Sequence, residues 1–589
     1  MSGDEGSDAD AALAATRAEG QGIDLDPASA ERAAGVVRGW GNVPGRDPDF
    51  AGREEQLAAI RAGLLAGAPV VVHSVKGMGG AGKTQVAIEY VHRHTGDYAL
   101  TWWLDCESTV LLGQQYAELA IHFGHATRDA PPEEMRRAAI GALRRHPSWL
   151  LVFDNVTDPG VFQRNWLPDG PGHVLITSYQ DWWDGIAIPV PVGYLPRAKS
   201  VQLLRRRVPA MTDGDADALA DALNDLPLSL ALAAASVAET GMSPADYVRM
   251  HAEHTAQLLR VGRTTGPRDT LTAVVSYAWT RLRFTDPDAA LLAAICAYLS
   301  HWPIPVSWLT TAAAGLPPSL AARLTNDAAR PLLLGALTRS GLARLDDDGL
   351  TLHRFVQEAI RRAIPDASPE ARACATTIIT ANVPPDPESP AAWPAWARLY
   401  PHLPVLPPRR QDTGPALNDT ALTAVRYLIS SGNASEAETR AARLHESWGY
   451  PHALGPDHED TLRAAAARAA ANRALGRYGL ARSYGTRTLT RRRSLHGDDH
   501  PGTLTAASDL ADILADMGDH EAARELDADT LRRRRRVLGK DHPDTRRSAG
   551  NLARDLRALG EMGWRGWRAG LRRRVTAWWR AWRGRHRAR

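Results

Sequence analysis

The 589-residue sequence has few cysteines and no long apolar run. Its three cysteines, Cys106, Cys296 and Cys374, are scattered and odd in number, which fits neither a disulfide framework nor a CxxC metal site. A reducing cytoplasm is therefore expected. No uninterrupted stretch of about 18 apolar residues is present, which excludes a membrane-spanning helix.

The first residues lack the basic start and apolar core of a secretory signal peptide. They are acidic instead, with Asp4, Glu5, Asp8 and Asp10, so a cytoplasmic location is again predicted. Lysine is scarce: four lysines stand against 66 arginines (70 − 4 = 66), a bias that suggests a GC-rich genome such as an actinobacterium's. The length predicts about three to five domains, because single hydrophobic cores stop growing near about 250–300 residues.

A glycine-rich loop follows a β-branched run near residue 70. The run VVVHSV (70–75) predicts a buried strand, GMGGAGKT (77–84) matches G-x-x-x-x-G-K-[ST], and QVAIEYVHRH after it predicts a helix. This order predicts a phosphate-binding loop, because glycines let backbone N–H groups surround phosphates and a helix N-terminus attracts anions. Lys83 is expected to reach the β- and γ-phosphates and Thr84 to bind Mg²⁺. The predicted nucleotide contacts of the loop are Gly77, Gly79, Gly80, Gly82, Lys83 and Thr84.

An acidic residue for the metal is expected at the end of another buried strand. WLLVFDNV (149–156) supplies four apolar residues before Asp154, which we predict as the catalytic acid and, with Thr84, as a Mg²⁺ ligand. The next residue is Asn155, where many hydrolytic proteins have a second acid, so slow hydrolysis is expected. HVLITS (173–178) predicts a further strand, and Thr177 at its end is a candidate γ-phosphate contact.

Two more apolar runs, at 99–106 and 188–192, bring the number of predicted strands to five. With helices between them, these strands predict a doubly wound α/β fold. In such folds ligands bind at the carboxyl ends of parallel strands, where the candidate residues lie.

At this point the sequence resembles the STAND NTPases, specifically the bacterial, actinobacterial-type NB-ARC-like proteins with tetratricopeptide repeats, over about residues 40–559. NVPGRDPDFAGREEQL (42–57) is similar to the segment that lies against the adenosine, which implies contacts from Phe50, Gly52 and Arg53. LNDLPLSLALAAA, from Leu223, resembles the family's GLPL segment and implies that Pro227 packs near the adenine. TLHRFVQEAIR, from Thr351, resembles the motif whose histidine, here His353, holds the β-phosphate of ADP.

Two positions depart from the family pattern. Asp225 stands where glycine is usual. Tyr179 follows the predicted strand at 173–178, which in the family commonly ends in arginine. A tyrosine cannot supply a guanidinium charge to the γ-phosphate, which puts ATP discrimination or hydrolysis in doubt. The resemblance implies a switch that ADP holds closed and that self-associates after exchange for ATP.

The C-terminal part contains internal repeats. GPDHEDTL (455–462) returns as GDDHPGTL (497–504) and as GKDHPDT (539–545), 42 residues apart each time. Leu-Gly or Met-Gly pairs recur at the same period. Each unit predicts helix, tight turn and helix, and resembles the long tetratricopeptide repeats of kinesin light chains. Stacked helix pairs form a groove, which predicts a protein or peptide ligand.

The net charge of +3 conceals a basic tail, since ten arginines and no acid follow Glu561, which leaves +3 − 10 = −7 for residues 1–561. Tryptophans of the tail recur in steps of three and four, as in a basic amphipathic helix. Three interpretations stay open: the tail caps the repeats, binds an anionic membrane surface, or binds nucleic acid.

The predicted fold class is multidomain: an α/β P-loop NTPase core, a helical lid, a winged-helix domain and an all-α tetratricopeptide-repeat solenoid. The predicted function is an ATP/ADP-dependent signalling switch that senses a protein or peptide. The alternatives are a transcriptional regulator that binds DNA through its winged helix and tail, and a plain ATPase. The predicted segments are an acidic, poorly structured leader (1–38), the NTPase core (39–193), the lid (194–262), the winged helix (263–366), a helical linker (367–419), the repeats (420–562) and the tail (563–589).

Overall fold

The structure, a computed structural model, describes residues 38–74, 80–107, 109–124, 132–180, 182–260, 267–363, 368–405, 415–451 and 453–560. The predictions for the tail, for Gly77 and Gly79, and for all but the last residue of the leader lie outside these residues. The chain divides into two compact units, one up to Leu230 and one from Ala231. Each unit is described by itself.

The first unit is built on a six-stranded parallel sheet with the order β1-β3-β4-β5-β2-β6. The strands are β1 (Gly39–Gly41), β2 (Val70–His73), β3 (Leu100–Asp105), β4 (Trp149–Val156), β5 (His173–Ser178) and β6 (Ile188–Pro191). The five predicted strands are present, and β1 is an additional edge strand. It was missed because Gly-Trp-Gly has no apolar run.

Helices cover both faces of this sheet. They are α1 (Glu54–Leu65), α2 (Lys83–Arg93), α3 (Thr109–His122), α4 (Pro132–Arg145) and α5 (Pro159–Asn165). Three further helices follow β6 in the chain: α6 (Arg197–Arg207), α7 (Asp213–Ala222) and α8 (Pro227–Thr240). Alternate strand residues belong to different apolar clusters: Val71 packs with residues of α3 and α4, whereas Val70 and Val72 pack with residues of α1 and α2. This alternation of side chains produces a three-layer α/β/α core.

The second unit begins with helices and one small hairpin. The helices are α9 (Pro244–Arg260), α10 (Pro267–Thr285), α11 (Pro287–Ala297), α12 (Val306–Thr311), α13 (Pro318–Thr325), α14 (Ala329–Arg339), α15 (Arg354–Ala363), α16 (Ser368–Ala381) and α17 (Trp393–Leu399). The antiparallel hairpin joins β7 (Arg344–Asp346) to β8 (Gly349–Thr351), and Ile304 exchanges two backbone hydrogen bonds of 2.9 Å with Leu350. The winged-helix assignment for this region stays a prediction.

The rest of the second unit is a series of helices in which each packs against the next. They are α18 (Pro415–Ser430), α19 (Ala434–Gly449), α20 (Glu459–Ala474), α21 (Tyr478–His496), α22 (Pro501–Asp516), α23 (His520–Val537) and α24 (Pro543–Ala558).

The recurring histidines of the repeats are helix caps. His458, His500 and His542 precede α20, α22 and α24, and the Nδ1 atom of each accepts a hydrogen bond of 3.1–3.2 Å from the backbone N–H two residues later. An N-cap acceptor satisfies one of the backbone donors that a helix start leaves unpaired. The repeated Gly-x-Asp-His pattern therefore marks where the first helix of each pair begins.

The three cysteines are buried free thiols. Among the helices of the described part of the chain, none has the length and apolar composition needed to cross a membrane.

Candidate functional site

The candidate residues meet at the carboxyl edge of the parallel sheet. Strand β5 lies between β2 and β4. Consequently Ser74, which follows β2, Thr177 at the end of β5 and Asp154 in β4 come from three adjacent strands. Ligands bind at this edge in open α/β sheets, because the loops leaving the strand ends form a crevice there.

A β-bulge shapes the end of β4. The register between β4 and β5 shifts between Phe153 and Val156, and Asn155 has a left-handed backbone with φ of 67°. The Asn155 N–H donates a 2.9 Å hydrogen bond to Oγ1 of Thr177. Bulges re-aim side chains next to functional sites.

The carboxylate of Asp154 accepts hydrogen bonds from two threonines. Oγ1 of Thr84, at the start of α2, lies 3.0 Å from Oδ1 of Asp154 and 3.4 Å from Oδ2. Oγ1 of Thr177 donates to the same Oδ1. The structure therefore brings together the two predicted metal ligands, Thr84 and Asp154. It also shows that Thr177 binds the Asp154 carboxylate directly.

Lys83 lies at the first position of α2 and donates a 2.9 Å hydrogen bond from Nζ to Oγ of Ser74. Ser74 is buried. Gly80 and Gly82 have left-handed backbones, with φ of 80° and 90°. Such angles strain residues with a Cβ, so glycine suits both positions of the loop.

The donor set at this edge suits Mg²⁺. A hydroxyl and a carboxylate 3.0 Å apart are hard oxygen ligands, and Mg²⁺ in phosphate sites is bound by one or two such groups together with phosphate oxygens. Within the described residues, no cluster of three or more His, Cys, Asp or Glu side chains forms a metal cage. Thr84 and Asp154 would therefore hold the ion jointly with a phosphate.

Arg53 is buried and bound to backbone carbonyls. It donates hydrogen bonds to the carbonyl oxygens of Gly193 (2.5 Å), Ala81 (3.1 Å) and Tyr194 (3.2 Å). Burial lowers the pKa of its guanidinium to about 10. Arg53 thus joins the glycine-rich loop to the segment after β6, a role beyond the nucleotide contact predicted from sequence.

The other two predicted adenosine contacts, Phe50 and Gly52, lie beside α6. Gly52 has φ of 75°, and a Cβ there would lie 3.0 Å from Cγ of Lys199. The half-buried Phe50 packs against the apolar cluster under α1 and α2, and its carbonyl accepts a 2.8 Å hydrogen bond from Arg206.

Pro227 is the first residue of α8, and the next residue contacts the loop. The Leu228 N–H lies 3.4 Å from the Gly80 carbonyl, and a Cβ on Gly80 would lie 2.9 Å from Cβ of Leu228. Asp225 has φ of 52°, a conformation that favours glycine. Its carboxylate is bound by Arg197 at 2.9 and 3.0 Å, which ties this turn to α6.

Two polar residues of this edge were missed from the sequence. Ser74 binds Lys83, and Glu107 accepts a 3.0 Å hydrogen bond at Oε2 from Nδ2 of Asn155. The signal that could have found them is position, because each follows the carboxyl end of a strand, β2 or β3.

His353 lies in the second unit, between β8 and α15. It is exposed, and its Nδ1 accepts a 3.3 Å hydrogen bond from the Phe355 N–H. Its role in holding ADP stays a prediction.

Comparison with known families finds the tetratricopeptide repeat family at residues 461–502 and 503–544. These segments are tetratricopeptide repeats. Their bounds give two 42-residue units, which is the predicted period. The fold class is thereby confirmed: a parallel α/β core with the phosphate-loop arrangement and a C-terminal solenoid of tetratricopeptide repeats.

Comparison with curated proteins finds no match. Among solved structures, a STAND protein with a tetratricopeptide repeat sensor from Pyrococcus horikoshii is 12% identical, with a TM-score of 0.35 over 87% of each chain. The Aeropyrum pernix ORC2 protein, in ADPNP–ADP complexes, is 13% identical with a TM-score of 0.26, over 55% of this chain and 96% of its own. Similarity at these scores is too weak to assign a function.

Proposed function

We propose that this chain is a nucleotide-dependent signalling switch, with ATP or ADP and Mg²⁺ bound at the carboxyl edge of the sheet. The observation that carries the proposal is the carboxylate of Asp154, which the hydroxyl of Thr84 contacts at 3.0 Å at the start of α2. This pairing of a helix-start hydroxyl with an acid from another strand of the sheet is what a phosphate-bound Mg²⁺ requires.

The phosphates are proposed to bind at the N-terminus of α2. There the backbone N–H groups and the helix dipole favour negative charge, and Lys83 adds an ammonium group. Ser74 holds that ammonium through a 2.9 Å hydrogen bond. A lysine fixed at the loop in this way is positioned for the β- and γ-phosphates.

Switching rather than rapid turnover is proposed because two residues differ from those of hydrolytic relatives. Asn155 follows Asp154 where a second acid is usual, and Tyr179 follows β5 where an arginine is usual. An amide and a phenol stand where a carboxylate and a guanidinium are usual. We therefore expect turnover far below the roughly 10 s⁻¹ typical of enzymes.

The tetratricopeptide repeats supply the sensing part of the proposal. Solenoids of this kind present extended concave surfaces that bind proteins or peptides. We propose that such a ligand promotes exchange of ADP for ATP, and that the ATP-bound chain self-associates.

Replacement of Lys83 by alanine tests the proposal. The purified wild-type protein is expected to carry or tightly bind ADP in the presence of Mg²⁺, measured by chromatography of released nucleotide and by titration calorimetry. Lys83→Ala should lose this nucleotide. Lys540→Ala is the matched control, because Lys540 is exposed in a turn between two repeat helices. Wild-type nucleotide content in Lys83→Ala would contradict the assignment.

A further inference from the structure

An acidic side chain lies beside Asn155, two residues after the end of the neighbouring strand β3. In the register of β3 and β4, Asp105 is directly opposite Asp154, and the Cys106 N–H donates a 2.8 Å hydrogen bond to the Asp154 carbonyl. Glu107 is the next residue. Its Oε2 accepts a 3.0 Å hydrogen bond from the Asn155 amide. A carboxylate is thus present beside Asn155, so the expected slow turnover rests on Tyr179, where an arginine is usual, rather than on the lack of an acid.

The segment that carries Glu107 is fixed from two sides. The Glu107 N–H donates a 2.8 Å hydrogen bond to Oδ1 of Asp105. Gln115 of α3 binds the backbone of Asp105, accepting from its N–H at 2.8 Å and donating to its carbonyl at 3.1 Å. Helix α3 therefore holds the end of β3, so the placement of Glu107 does not depend on its side-chain contact alone.

We propose that Glu107 is the general base for ATP hydrolysis in this chain and that Asn155 is its positioning residue. The inference rests on the proposed function, since it needs a γ-phosphate at the same edge. In the step, the Glu107 carboxylate accepts one proton from a water molecule. The water oxygen forms a bond to the γ-phosphorus, and the bond from that phosphorus to the bridging oxygen of ADP breaks. ADP takes the bond electrons, and inorganic phosphate is released.

The chemistry of the pair suits these roles. Asn155 is a neutral donor, so its hydrogen bond orients the carboxylate without adding a positive charge. A carboxylate has about four lone-pair sites, and the hydrogen bond from the amide occupies one of them. The bulge in β4 is what turns the Asn155 side chain toward β3, because residue 155 has a left-handed backbone.

A single-turnover assay on the full chain tests the inference. Protein loaded with Mg²⁺ and γ-labelled ATP is followed for phosphate release, and bound nucleotide is measured separately. Glu107→Gln keeps the shape and removes the base, so we expect hydrolysis about 10²–10⁴-fold slower with unchanged ATP binding. Glu107→Asp keeps the carboxylate on a shorter chain and should give an intermediate rate. Glu134→Gln, an exposed acid in α4, is the control and should match wild type.

The role of Asn155 is tested in both backgrounds. Asn155→Ala should slow hydrolysis in the wild-type chain and have no further effect in Glu107→Gln, because it acts through that carboxylate. Equal rates for Glu107→Gln and wild type, additive effects of the two substitutions, or no hydrolysis by wild type that binds ATP would each overturn the inference. Loss of ATP binding in Glu107→Gln would overturn it too, by making Glu107 a binding residue. Failure of the wild type to bind nucleotide would instead refute the proposed function itself.

Discussion

Asp527 of α23 and Asp555 of α24 lie side by side with no exposed surface, between the last two described helices. Each is 42 residues after a residue of the preceding repeat, Gly485 (527 − 485) and Ile513 (555 − 513). A Cβ on Gly485 would lie 3.4 Å from Cδ1 of Ile513, so these positions also meet there. The last repeat thus has two carboxyl groups where its neighbour has an apolar contact.

This pair predicts a pH-dependent stability of the repeats. Burial, together with the adjacent Asp555 carboxyl, raises the pKa of Asp527 to about 7, with Asp512 acting in the same direction and Arg554 opposing it. Between the unfolded value of about 3.9 and this pKa, the folded state binds more protons than the unfolded state. Stability should therefore fall as pH rises through that range.

Asp527→Asn should remove this titration. The melting temperature of the variant should equal that of wild type near pH 4 and exceed it near pH 8, measured by circular dichroism. Asp541→Asn, at an exposed turn position, is the control. Parallel pH profiles for Asp527→Asn and wild type would contradict the prediction.

The turn at Asp225 predicts that glycine is better tolerated there than alanine. Asp225→Gly and Asp225→Ala lose the same ion pair with Arg197. The difference between their free energies of unfolding therefore reports the cost of the left-handed backbone. At φ of 52°, alanine should be less stable than glycine by about 1–2 kcal/mol. The free energy of unfolding in urea measures this difference, and equal values for the two variants would refute the strain argument.

Replacement of Arg53 is expected to lower the stability of the fold, independently of any effect on nucleotide binding. Arg53→Met keeps the length of the side chain but leaves carbonyls such as that of Ala81 without their partner. Each buried group left unpaired costs about 1–3 kcal/mol. The melting temperature should fall clearly for Arg53→Met and less for Arg53→Lys. Arg137→Met, on the exposed side of α4, is the control. Wild-type stability with lost nucleotide binding would instead identify Arg53 as a ligand contact alone.

The hydroxyl of Thr84 is expected to be required for the effect of Mg²⁺ on nucleotide binding. Thr84→Val keeps the volume and removes the hydroxyl, so the gain in ADP affinity on adding Mg²⁺ should be lost or strongly reduced. Titration calorimetry with Mg²⁺ and with chelator measures this gain. Thr95→Val, just beyond the other end of α2, should behave as wild type. An unchanged Mg²⁺ dependence in Thr84→Val would exclude Thr84 as a ligand.

Much of the fold could be predicted because its signals are local. Apolar runs predicted β2 to β6, the glycine loop before Lys83 predicted the start of α2, and the 42-residue recurrence predicted the repeat helices. Each depends on residues adjacent in the chain. Strand β1 lacked such a signal, since its three residues form a strand only by pairing with β3.

The sequence by itself determined where the glycine-rich loop and α2 lie and where each repeat begins, because glycine, lysine and capping histidine act within a few residues of their positions. Only the tertiary structure decided which side chains from different strands meet. The order of the strands places β5 between β2 and β4, so Thr177 reaches Asp154. The pairing of β3 with β4 and the bulge at Asn155 bring Glu107 into the site, although Glu107 and Asn155 are 48 residues apart in the sequence. Strand order and register depend on packing between strands that are far apart in the sequence.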